Sequence, residues 1–237
     1  MKITRLTVYV VKLDAWNVGT RYSTTDKLGL SLQSSIVRLE TDSELIGWGE
    51  TLTPPPYYHP TSPESARAAI GLIAPLVLGA DPSQNRKILH DIRSMMRGHE
   101  PAKSVIDMAI CDLAGKVANL PLVDLWGGRV VNDMPVLCLV NFASPEEQLT
   151  QISEFRALGY KLFQIKVGDG DPNLDVARIE SGMSAMQPGE RCWFDANRAW
   201  SVDQAMQILN RVKHLAPLIG QRTETYRDCV RVSRRTG

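Results

Sequence analysis

From Met1 to about Glu50, apolar and polar positions alternate. ITRLTVYVVKL does so from Ile3 onward, and SSIVRLETDSELIGWGE sets two such stretches on either side of Thr41, Asp42 and Ser43. A period of two sends successive side chains to opposite faces of an extended chain, and short polar side chains favour backbone reversal. The pattern therefore predicts a strand followed by strand, turn and strand. Five prolines from Pro54 to Pro63 then remove amide donors and fix φ, which predicts a stiff loop over TLTPPPYYHPTSPES. Ser62, Pro63 and Glu64 read as a helix start leading into Ala66, Ile70 and Ile73. A longer helix is predicted from about Pro101 to Val117, with Val105, Met108, Ala109 and Leu113 along one side. An antiparallel sheet followed by helices makes an α+β domain, expected over residues 1–127.

From Met134 the rhythm changes. The apolar runs PVLCLVNFA, LFQIKVG and RCWFDANRAW alternate with the helical patterns SPEEQLTQISEFRALGY, DPNLDVARIESGMSAM and SVDQAMQILNRVKHL. HLAPLIGQ suggests a fourth strand and TETYRDCVRVSRRT a fourth helix. Strand and helix recurring at about 30 residues per unit predict right-handed crossovers and a parallel sheet. The second domain is expected over residues 134–237.

Composition narrows the function classes. Of 237 residues 43% are hydrophobic and 22% charged, values of an ordinary globular chain rather than a disordered or fibrous one. Lys and Arg total 27 against 26 for Asp and Glu, a net charge of +1, so no field gathers nucleic acid or anionic membrane. The arginines from Arg222 to Arg235 read as a solvated helix face. The four cysteines lie far apart with no CxxC pair, and the apolar run near the N-terminus is too short for a signal core or a membrane span. A reduced, cytoplasmic protein is expected. No P-loop, GxSxG or HExxH is present, and the Gly168–Gly170 pair lacks a third glycine, since Asn173 stands there.

Candidate chemistry sits where the apolar runs end, the side of parallel sheets where catalytic groups gather. Lys166 ends the second run and Gln164 lies two residues earlier, on the same strand face; Asp195 ends the third run, with Asn197 two residues on. A cation and a carboxylate at equivalent places on successive strands face one shared point. Tyr57, Tyr58 and His59 on the proline-rich loop suit a lid over a substrate or, equally, a packed loop tip.

Several stretches together, MKITRLTVY, VRLETDSELIGWGET, AKSVIDMAICDLAGKVANLPLVDLWGG, QIKVG and FDANRAW, resemble the enolase superfamily. Within it they are similar to the mandelate racemase and muconate lactonizing group, and especially to members acting on hydroxyproline and its betaine, such as cis-3-hydroxy-L-proline dehydratases. The resemblance implies an α/β fold: an α+β capping domain, then a (β/α) TIM-type barrel, of which about four strand–helix units are expected here. It implies abstraction of a proton alpha to a carboxylate, with Mg²⁺ stabilising the ene-diolate and lysines as acid and base. By motif Lys166 matches the second lysine of a Lys-x-Lys pair and would be the base, Gln164 replaces the first, and Asp195 matches the first metal ligand.

Two departures from that pattern stand out. The family's second ligand is a glutamate in a Glu-Gln-Pro segment, which here reads Gly220-Gln221-Arg222. The third carboxylate and the second lysine come from later strands, beyond Gly237. The expectations are then a Mg²⁺-dependent dehydratase of cis-3-hydroxy-L-proline, an epimerase of a proline-type substrate sharing the same first step, or a truncated, inactive chain serving as a scaffold. Completion of the barrel by another chain remains a further route. The substrate is a small carboxylate, no nucleic acid or membrane partner is expected, and the resemblance implies a homo-oligomer.

Overall fold

Strand β1 (Ile3–Leu13) pairs antiparallel with β2 (Leu32–Thr41), and β2 with β3 (Ile46–Thr53), in the order β1-β2-β3. The computed structural model describes residues 1–13, 32–53, 60–168, 170–197, 199–215 and 218–220. Register across the sheet brings Val8, Val37 and Gly49 onto one line, and Leu6, Leu39 and Gly47 onto the next. Val37 and Leu39 are fully buried on that face. The β2–β3 reversal runs through Glu44 at φ 65°, closed by the Thr41 amide donating to the Leu45 carbonyl.

Helices α1 (Pro63–Val77), α2 (Asn85–Met95) and α3 (Glu100–Ala118) follow, with a short turn of helix, α4 (Leu122–Leu125), behind them. Ser62 caps α1 through the Ser65 amide, as its sequence suggests. Helix α2 was not anticipated: only Ile88 and Ile92 are buried, a stripe too narrow to stand out among Arg, Lys, His and Asp. Val105, Ile106, Ala109, Ile110 and Leu113 of α3 lie in one apolar core with Val37, Leu39, Ile70 and Ile73. The helix backbone comes close to β3 because Gly47 and Gly49 lack side chains. A Cβ on Gly49 would collide with the Val105 carbonyl and sit 3.0 Å from the Ala109 amide nitrogen.

The second sheet is parallel, in the order β4-β5-β6-β7: β4 (Leu137–Val140), β5 (Leu162–Lys166), β6 (Arg191–Asp195) and β7 (Leu218–Gly220). Helices α5 (Pro145–Ala157), α6 (Pro172–Ser184) and α7 (Val202–Val212) connect successive strands. Ser144 with Glu147, and Ser201 with Gln204, satisfy the first amides of α5 and α7 reciprocally. One sheet face, with Cys138, Val140, Phe163, Ile165, Cys192 and Phe194, is buried in a core shared with Ile152, Ile179 and Ile208 of the helices. Leu139, Gln164, Trp193 and Asp195 on the other face are only partly covered, and Lys166 there is buried. Parallel strands with helices on one face form part of a β/α barrel. The expected fourth helix lies outside the described residues. Two compact units divide at Asn132 and Asp133.

Arg156 at the end of α5 braces the approach to β6. Its Nε and Nη2 donate to both Glu190 oxygens at 2.6 and 2.8 Å, and Nη2 also reaches the Ala185 carbonyl at 2.9 Å. The Arg156 bonds hold the Glu190 carboxyl below its ordinary value of 4.5. A carboxylate depressed in the folded state stabilises fully above that ordinary value, and the contribution is lost as pH falls through the lowered one. Glu190→Gln should therefore flatten the acid limb of stability below the ordinary carboxyl value of 4.5, in urea unfolding followed at several pH values. In the first unit, Gly49→Ala should lower unfolding free energy by about 2 kcal/mol or more through overpacking, measured the same way.

Candidate active site at the parallel strand ends

Lys166 and Asp195 are register partners at the last positions of β5 and β6, and Asp195 is in turn opposite Gly220 of β7. Equal register in a parallel pair places side chains of the same face beside one another. Lys166 Nζ donates to Asp195 Oδ2 at 2.7 Å, with side chains 9% and 18% exposed. Gln164, one pleat back on β5, donates Nε2 to the same oxygen at 3.2 Å. The Asn197 amide donates to Oδ1 at 3.0 Å, from a residue at φ 46°. Asparagine tolerates that left-handed backbone, which redirects the chain just after the bonded amide. Three donors, the buried Lys166 ammonium among them, thus converge on one carboxylate. Tyr57 and His59 lie outside the described residues.

Buried polar groups that the sequence reading did not single out stand behind this cluster. Gln148 of α5 donates Nε2 to the Lys166 carbonyl at 3.2 Å and to the Asn141 carbonyl at 3.1 Å. Asp175 of α6, 1% exposed, accepts from the Gly168 amide at 2.8 Å and from Trp200 Nε1 at 2.7 Å. A signal for Asp175 was present: it sits with Val176, Ile179 and Gly182 on the buried side of α6, a position where an acid is costly unless it is bonded. Gly168, whose pairing with Gly170 falls short of a nucleotide-binding fingerprint, lets two loops meet, since a Cβ there would lie 2.8 Å from Ala199 Cβ.

The chemistry of this donor set does not fit Mg²⁺, which takes several oxygens in near-octahedral array. Among the described residues no group of three or more His, Cys, Asp or Glu stands together for a metal ion. Both Asp195 oxygens already accept hydrogen bonds, and the position across on β7 carries no side chain. The buried thiols are not nucleophile candidates: burial pushes Cys138 and Cys192 up to about 11. No helix among the described residues is long and apolar enough to cross a membrane.

The ion pair carries its own expectation. Lys166→Ala strands a poorly solvated carboxylate and should cost about 1–3 kcal/mol in urea unfolding, and Lys166→Ala with Asp195→Ala should cost less than the sum of the two singles.

Comparison with known proteins gives the same two-part division. Residues 13–127 match the family model described as mandelate racemase / muconate lactonizing enzyme, N-terminal domain, and residues 147–219 match the model described as enolase C-terminal domain-like. The chain is 32% identical to a cis-3-hydroxy-L-proline dehydratase of Roseibium aggregatum, over 100% of this chain and 64% of that protein. It is 31% identical to an L-Ala-D/L-Glu epimerase of Bacillus subtilis, over 76% of this chain and 49% of the relative. A crystal structure of an enolase superfamily member from Roseovarius nubinhibens ISM, complexed with magnesium, superposes with a TM-score of 0.89 at 35% identity. That match covers 100% of this chain and 63% of the other. The chain therefore spans less than two thirds of the length of each of these relatives.

Proposed function

Since the chain belongs to the mandelate racemase and muconate lactonizing group of the enolase superfamily, we propose that Lys166 removes the proton alpha to the carboxylate of a small amino-acid substrate, and that the reaction so served is dehydration of cis-3-hydroxy-L-proline. The observation that carries the reading is the nearly buried Lys166 Nζ, held 2.7 Å from Asp195 on the partly covered sheet face that Gln164 shares. In the proton step, which requires that Lys166 first give up one proton of the ammonium paired with Asp195, the Cα–H bond breaks, its electron pair moves toward the carboxylate, and the proton passes to the freed lysine amine. The electron pair then forms the Cα–Cβ double bond as the 3-hydroxyl leaves and takes up a proton to become water. Gln164 offers an amide donor to the substrate carboxylate, and the packed strand ends keep the amine in one orientation.

Magnesium is present in the solved relative, but the described donors here do not complete such a site, so the proposal assigns these residues only proton transfer and carboxylate contact. An epimerase shares that first step, and the similarity to an epimerase fits it as well.

A folded but catalytically silent chain is the second reading. One observation favours it: glycine stands at position 220, opposite Asp195, where the family resemblance implies a carboxylate ligand.

The test is deuterium wash-in at the substrate Cα, followed by proton NMR with cis-3-hydroxy-L-proline, with and without Mg²⁺, for the chain and for Lys166→Ala. Exchange that falls about 10³-fold or more in Lys166→Ala is expected. Dehydrated product accompanying exchange assigns the dehydratase, and inverted substrate alone assigns the epimerase. No exchange from folded chain overturns the proposal in favour of the silent reading.

A further inference from the structure

We propose that Asp175 is a positioning residue that sets Lys166 against Asp195 by joining the loops after three successive strands; this rests on the reading of Lys166 as the base. Asp175 accepts from the Gly168 amide, two residues beyond Lys166, at 2.8 Å. It accepts from Trp200 Nε1, in the loop that follows Asp195, at 2.7 Å. Arg178, 2% exposed, donates Nη1 at 3.3 Å to Asp175 Oδ1, the oxygen that also accepts from Gly168, and sends Nε to the Ala143 carbonyl, beyond β4, at 2.8 Å. One buried anion is thus bonded directly to the segments after β5 and β6, and through Arg178 to the segment after β4.

A packing role alone explains this arrangement poorly. A buried ion pair is weak evidence for stability, because apolar residues of the same volume often stabilise as well or better. What a fully bonded buried network supplies is a unique arrangement of the groups it ties. Here the tied groups are the two loops flanking Lys166 and Asp195, which also meet through the Val167 amide donating to the Asp195 carbonyl at 3.2 Å. Neither loop can shift alone without breaking a bond to Asp175.

Asp175→Asn keeps the shape but replaces one oxygen with a donor, which must then face the Gly168 amide, the Trp200 indole or Arg178. In folded Asp175→Asn we expect Cα deuterium wash-in to slow about 100-fold with KM changed less than about 3-fold, the signature of a misplaced base. Acetylation of Lys166 by acetic anhydride, read by peptide mass spectrometry relative to exposed Lys87, should rise about 10-fold as its lodging loosens. Trp200→Phe, which leaves the anion two of its donors, should move both readouts in the same direction by a smaller factor. It carries the test should Asp175→Asn fail to fold.

A variant that loses stability in urea while keeping the wild-type wash-in rate and Lys166 acetylation ratio would overturn the proposal and leave Asp175 a structural residue. If the unsubstituted chain shows no wash-in, the proposed reaction fails, whereas the acetylation ratio still decides whether Asp175 places Lys166.

Discussion

Register in the parallel sheet is the constraint on which the candidate site depends. A strand alternates its faces with each residue, so sliding β5 by one position would turn Lys166 toward the helices and expose Ile165. That slip is opposed by Phe163, Ile165, Cys192 and Phe194, all buried beneath α5, α6 and α7. The apolar half of each strand thus fixes where the polar half points. Lys166 and Asp195 meet because the hydrophobic effect on the far side of the sheet leaves them one place to be.

The two units solve close packing differently. In the first, glycines at 47 and 49 let the α3 backbone approach β3 directly, and the polar side chains buried there, among the described residues, are the hydroxyls of Ser34, Ser35, Thr41, Thr51 and Thr53. In the second, charged and amide side chains enter the interior at Gln148, Asp175 and Arg178. Such groups are costly to bury unless bonded; Asp175 and Arg178 pair with each other, and further bonds from the three run to backbone atoms or indole nitrogen near the carboxyl ends of strands. The buried polar groups of this unit are concentrated behind the proposed chemistry.

That concentration also separates the two halves of the expected reaction. An amine suited to the proposed proton transfer and a packed frame for holding it are both present. The cation that relatives use is a different matter, because Asp195 is engaged by Lys166, Gln164 and the Asn197 amide, and Gly220 offers nothing across from it. Proton transfer needs one group in one place, whereas octahedral magnesium needs several oxygens from several elements. A single strand pair can supply the first and not the second.

Much of the fold was legible in the sequence. Alternation marked β1 to β3, Ser-Pro-Glu starts marked α1 and α5, and the strand–helix rhythm from Met134 marked the parallel sheet, because these signals are local and repeat along the chain. The positions of Lys166, Gln164 and Asp195 at strand ends followed from the same pattern. Helix α2 was hidden by its narrow apolar stripe; Asp175 left a trace as an acid on the buried side of α6, but its partners and those of Gln148 and Trp200 were invisible, since they lie 7 to 25 residues away. Periodicity along a chain determines which face of an element turns inward. Only tertiary structure decides which buried donor meets which acceptor, because that depends on distances across elements that a linear pattern does not encode.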